Sequence, residues 1–82
     1  MSTLEFTLEG DYIEVNQLLK LAGVCDSGGA GKTLVAEGQV AVDGKPESRK
    51  TAKIRAGQVV TCSGVRIVVK ADPAADKNSL RP

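Results

Sequence analysis

The stretch Gly28-Gly29-Ala30-Gly31-Lys32-Thr33 carries the residue types of a phosphate-binding loop. In such loops glycine backbone N–H groups cradle phosphates, a lysine reaches the outer ones and a hydroxyl helps to hold a metal ion. The spacing does not fit. With Gly31, Lys32 and Thr33 in the closing positions, the opening glycine belongs where Asp26 stands. A phosphate-binding loop also follows a buried strand, and here a helical pattern comes first. Phosphate transfer is therefore not expected. A simpler capacity survives: N–H groups at a helix start, at Ser27 and Gly28 with Lys32 one turn in, can receive a phosphate. The competing use of these glycines is to let two helices pack closely.

Cations supply the second chemistry. Lys45, Arg49, Lys50, Lys53, Arg55, Arg66 and Lys70 fall within residues 45–70, against the single acid Glu47. Residues 1–44 carry only Lys20 and Lys32 against seven acids, and residues 71–82 balance. The net charge of +1 thus hides an acidic first half and a basic second half. A surface made for solubility interleaves both signs, so charge sorted this way points to a polyanion as partner. The cations lie in strand and turn segments rather than on an amphipathic helix, which disfavours a membrane surface. Phe6 and Tyr12 are the only aromatics and both precede the helices, so no platform for stacking bases is expected. Recognition through phosphates, 2′-hydroxyls and shape follows, which favours folded RNA over a single strand.

The missing residue types exclude other classes. There is no His and no closely spaced cysteine pair, so neither a metal site nor a cofactor is expected, and the commonest general base is absent. Cys25 and Cys62 come without a secretory segment and read as thiols of a cytoplasmic protein. No apolar run is long enough to span a membrane. At 82 residues the chain makes one small domain, over 1–70, and is expected to be a monomer that takes no small-molecule substrate.

The elements that must position these residues are legible from periodicity. Thr3 to Leu8 alternates, with Leu4, Phe6 and Leu8 on one face of a half-buried strand. Val15, Leu18, Leu19 and Ala22 then fall on one face of a short helix that Gly23 ends. Asp26 or Ser27 caps a second helix, whose buried face is Leu34 and Val35 and whose end is Gly38. Val40 and Val42 face inward from a short strand, and Asp43-Gly44 makes a two-residue hairpin turn. Residues 49–55 are polar except Ala52 and Ile54. Ala56-Gly57 turns the chain into a strand at 59–62, Ser63-Gly64 turns it again, and 65–70 completes the sheet. Residues 71–82 show no periodicity and read as a disordered tail. The order of elements makes an α+β domain.

The run from Gly23 to Gly44, a helix pair closing in Gly38-Gln39-Val40-Ala41-Val42-Asp43-Gly44, resembles the ribosomal-protein-S-four type RNA-binding domain, or αL motif. That family carries a G-x-V-x-V-[ND]-G hairpin and a later [VI]-x-x-G-[DQ] turn, matched here by Ile54 to Gln58. The segments Leu18 to Leu21, Ser27 to Lys32 and Glu47 to Ile54 are similar to the small stand-alone bacterial YbcJ-like group within it. The resemblance implies two helices packed against a small twisted, mostly antiparallel sheet. It implies RNA bound by Ser27 and Gly28 at the helix start and by Lys32, Arg49, Lys50 and Lys53; Lys20, Lys45 and Arg55 are further expected RNA-binding residues. Two family positions that often hold Arg hold Glu14 and Gly28 here. The reading is a non-enzymatic module for structured RNA, with ribosomal RNA among the candidates; the alternative is a protein-interaction domain whose basic face meets an acidic partner.

Overall fold

The computed structural model describes residues 2–72. In chain order the elements are β1 (Ser2–Leu8), β2 (Ile13–Glu14), α1 (Val15–Leu21), α2 (Gly28–Ala36), β3 (Val40–Val42), β4 (Lys45–Pro46), β5 (Lys53–Ile54), β6 (Val59–Cys62) and β7 (Val65–Ala71). Five strands form one sheet in the order β1-β7-β6-β3-β4, and β2 pairs with β5 in a small second sheet. Among the described residues only β1 and β7 run parallel; the other pairs are antiparallel. The two helices pack on each other, giving the expected α+β architecture.

Local chemistry explains where the elements stop. Gly23 has φ +81° and Gly38 φ +77°, the left-handed conformation that closes a helix at least cost to glycine. At each end two N–H groups fold back onto the last turn: Gly23 onto Lys20 and Val24 onto Leu19, then Gly38 onto Val35 and Gln39 onto Leu34. The hairpin turns Asp43-Gly44 and Ser63-Gly64 place both central residues at positive φ, matching the twist of the strands they join.

The core joins Val15, Leu18 and Leu19 of α1 to Val35 of α2 and to Val40, Val60, Cys62, Ile67 and Val69 of the sheet. Both cysteines are free thiols, Cys62 buried and Cys25 half-buried. Three features depart from expectation. Along β1 only Leu8 is buried, while Phe6 is half-buried and Leu4 is exposed, because this strand lies at the sheet's edge with β7 as its one neighbour. Asn16, a polar residue, is fully buried between the helices. Residues 71 and 72, expected to start a disordered tail, are instead held by the sheet. Ala71 still pairs with Leu8 in the sheet, and the Asp72 N–H donates to the Leu8 carbonyl at 3.1 Å. The remainder of that expected tail lies outside the described residues.

Candidate nucleic-acid interface

Ser27, not Asp26, caps α2. Its backbone is extended and its Oγ accepts the Ala30 N–H at 3.1 Å, while the Gly31 N–H reaches the Ser27 carbonyl at 3.0 Å. The N–H groups of Gly28 and Gly29 have no acceptor among the described residues. No acid stands in the first turn, so the positive end of the helix dipole is open to an anion, with Lys32 exposed one turn further on. The Thr33 hydroxyl, which a nucleotide loop needs for its metal ion, donates to the Gly29 carbonyl at 3.2 Å instead.

The two readings of the glycines divide between them. A Cβ on Gly31 would lie 2.7 Å from the Asn16 carbonyl oxygen, so this glycine exists to let α2 meet α1. A Cβ on Gly28 would meet the Gln17 and Asn16 side-chain amides, and the Asn16 Nδ2 donates to the Gly28 carbonyl at 3.4 Å. Gly29 is exposed, and a Cβ there would meet nothing closer than the Ser27 Oγ at 3.8 Å.

The basic segment is held down by its two apolar residues. Ala52 and Ile54 are buried, so Lys53 and Arg55, alternating with them, point outward. β5 is fixed to the start of α1: Ile54 pairs with Ile13 and Lys53 with Glu14, and the Val15 N–H donates to the Ala52 carbonyl at 2.8 Å. This short sheet was not anticipated, because two-residue strands carry too little pattern to be seen; the alternation of Ile13 with Val15 and of Ala52 with Ile54 is its only trace. Arg49, Thr51, Ala52 and Lys53 line a shallow depression beside it.

The structure thus links the helix start to part of the basic run through the first turn of α1. Gly28 meets Asn16 and Gln17, and immediately before them Val15 binds Ala52 and Glu14 pairs with Lys53. The other cations are placed differently. Lys20 stands in the last turn of α1, and Lys45 lies on β4, the outer strand of the larger sheet. Lys70 pairs with Glu5 at 2.8 Å and Arg49 with Glu47 at 3.4 Å. Among the described residues, Lys20, Lys32, Lys45, Lys50, Lys53, Arg55 and Arg66 have no carboxylate within ion-pair distance. The Glu47 carboxyl is held below its ordinary value, first by the Arg49 backbone N–H at 2.9 Å and also by the Arg49 guanidinium, against a smaller opposing effect of burial. Glu14, opposite Lys53, puts one acid into this otherwise basic face.

One residue was missed. Tyr12, set aside because it precedes the helices, is carried by β2 to the basic segment. The Lys53 Nζ lies 4.9 Å and the Arg55 Cζ 5.9 Å from its ring centroid, both within cation–π range. Arg55 also donates from Nη1 to the Asp11 carbonyl at 3.4 Å. The alternation Tyr12-Ile13-Glu14, with Ile13 facing inward, was the available signal.

Comparison with known sequences gives an S4 domain match over residues 6–70. The chain belongs to the S4 domain family. It is 48% identical over 60 residues to YbcJ of Escherichia coli (strain K12), covering 73% of this chain and 86% of that protein. It is 36% identical over 58 residues, 71% of this chain and 82% of the relative, to RlbA of Bacillus subtilis (strain 168), named for a probable role in ribosome maturation. The solution structure of Escherichia coli YbcJ, described as revealing an αL motif involved in RNA binding, superposes with a TM-score of 0.57 at 44% identity, covering 83% of this chain and 87% of that one. Within this S4 domain the hairpin motif has a structural logic. Asp43 sits at φ +52°, its N–H donates to the Val59 carbonyl at 2.7 Å, and its Oδ1 accepts the Val59 N–H at 2.9 Å. The motif's acid clamps the hairpin to β6 and is spent on the fold.

Proposed function

We propose that this S4 domain is a non-enzymatic module that binds structured RNA. The RNA backbone lies across the α2 start and the basic segment, contacting Ser27, Gly28, Lys32, Arg49, Lys50 and Lys53. The observation that carries this reading is the start of α1, which meets the α2 start through Asn16 and Gln17 and holds the basic segment through Glu14 and Val15 next to them. Open helix N–H groups and unpaired lysines are the two features that receive phosphates without reading sequence. The αL motif of YbcJ and the ribosome-linked name of RlbA support RNA, and ribosomal RNA among its classes. Among the described residues no helix is long and apolar enough to cross a membrane.

Titration against a folded ribosomal RNA fragment at two salt concentrations tests this. Affinity should fall steeply with salt, since each neutralised phosphate releases condensed counterions. Replacing Arg49, Lys50 and Lys53 together by Ala should weaken binding and flatten the salt slope by up to about three phosphate contacts' worth. Absence of binding at low salt, together with recovery of a stoichiometric acidic protein after RNase treatment, would replace RNA by a protein partner.

A further inference from the structure

We propose that Tyr12 is a stacking site for one unpaired nucleobase, with Lys53 and Arg55 holding the phosphates on either side of that nucleotide. The inference rests on the RNA reading above and deepens it, because phosphate contacts alone select no particular RNA. Three observations meet at this residue. Tyr12 is 43% exposed although it is one of only two aromatics in the chain. Lys53 and Arg55 both approach it, and these are two of the cations free of any carboxylate among the described residues. The ring also forms one wall of an open groove of about 210 Å³ whose other walls include Phe6, Thr7, Glu9, Ile13 and Leu21.

The chemistry of that groove selects its occupant. It is smaller than the pockets that hold drug-sized ligands, and it suits a single flat ring system. Leu21, 61% exposed, and the half-buried Phe6 and Ile13 offer apolar surface that gains from being covered. Glu9 lines it too, which repels a phosphate but tolerates a neutral base and can accept from an exocyclic amino group. A phosphate therefore belongs beside the groove, at the two cations, and a base inside it. An aromatic ring offers the same π-face to every base, so the site selects an unpaired nucleotide rather than a particular letter.

The test compares a fully paired RNA duplex with the same duplex carrying one bulged 2-aminopurine, using the full chain. The bulged duplex should bind at least about fivefold more tightly, the lower end of what base–aromatic stacking supplies, and the 2-aminopurine fluorescence should be quenched on binding. Tyr12→Phe should keep both effects. Tyr12→Ala and Tyr12→Leu should lose the preference and the quenching while binding the paired duplex with an unchanged salt slope; Leu keeps apolar bulk, so a general loss of folding is separated from loss of the ring. Equal affinity of the native chain for the two duplexes overturns the stacking site and leaves the RNA reading standing. So does a loss of affinity in Tyr12→Leu that is the same for both, which would mean that the ring only positions the cations. Failure to bind either duplex or a folded ribosomal RNA fragment at low salt overturns both.

Discussion

Gly31 lies against the backbone of Asn16, so close that a Cβ at this position would sit 2.7 Å from the Asn16 carbonyl oxygen and 3.0 Å from its Cα. The contact joins the first turns of the two helices at the point where the candidate interface is assembled. The atoms in the way belong to backbone, so no side-chain rotation relieves them. Gly31→Ala must push α2 away from α1, at a cost typical of an overpacked core, about 1–3 kcal/mol.

Gly29 gives the opposite expectation two residues earlier. It stands at an ordinary helical position with open space around it, and glycine there serves no packing need. Gly29→Ala should leave stability unchanged or raise it by up to about 1 kcal/mol, because alanine has less backbone freedom to lose on folding. Urea unfolding midpoints of the two variants should move in opposite directions, or Gly31 alone should move.

The hairpin clamp predicts which residues Asp43 tolerates. Asparagine also adopts positive φ and its carbonyl oxygen can accept the Val59 N–H, so Asp43→Asn should cost little, under about 1 kcal/mol. Asp43→Ala loses the bond and strains the backbone, which should cost about 2–3 kcal/mol. Thermal denaturation of both variants checks the order. A similar loss for Asn and Ala would remove the explanation offered for the aspartate-or-asparagine position of the motif.

Much of this fold was legible because its punctuation is local. Gly23, Gly38, Asp43-Gly44 and Ser63-Gly64 each end or turn an element through backbone conformations that few residues adopt, and each does so in the structure. The apolar face Val15, Leu18 and Leu19 was legible for the same reason: its period is contained within one helix. What could not be read depends on contacts between distant segments. The β2–β5 pairing joins Ile13 to Ile54 and Glu14 to Lys53, distant in the chain, through these two pairs alone, too short for either strand to show a pattern alone. Without that pairing Tyr12 looks remote from the cations, Glu14 looks irrelevant to them, and Ala52 and Ile54 look like accidents in a polar stretch. Charge sorting located the basic segment but did not show that Lys70 and Arg49 are each engaged by an acid.

Acid should loosen the segment that carries Arg49 and Lys50. The Glu47 carboxylate accepts the Arg49 backbone N–H at 2.9 Å, and that contact is the chief reason its carboxyl stays below the ordinary glutamate value of 4.5. A carboxyl whose folded-state value is depressed stabilises the fold at pH above its unfolded value and loses that contribution as pH falls through the folded one. The stability difference between the native chain and Glu47→Gln should therefore be present at neutral pH and vanish below the glutamate range. Urea unfolding of both proteins at neutral pH and at pH near 3 measures it, and a difference that persists in acid would locate the effect elsewhere.

The same carboxylate offers a test of the interface that adds affinity instead of removing it. Glu47 holds the Arg49 side chain at 3.4 Å and contributes the one negative charge within residues 45–70. Glu47→Gln keeps an oxygen for the Arg49 N–H while releasing the guanidinium and removing repulsion toward phosphate. RNA affinity at low salt should rise and its salt dependence should steepen toward one further contact. Lys70→Ala provides the contrast. Its ammonium is paired with Glu5 at 2.8 Å on the β1–β7 edge, and both groups are exposed, so the pair itself contributes little to stability. Its removal should change RNA affinity less than Lys53→Ala does. If Lys70→Ala matched Lys53→Ala in both affinity and salt slope, the RNA would have to contact the β1–β7 edge as strongly as the basic segment, and the junction at α1 would no longer define the site.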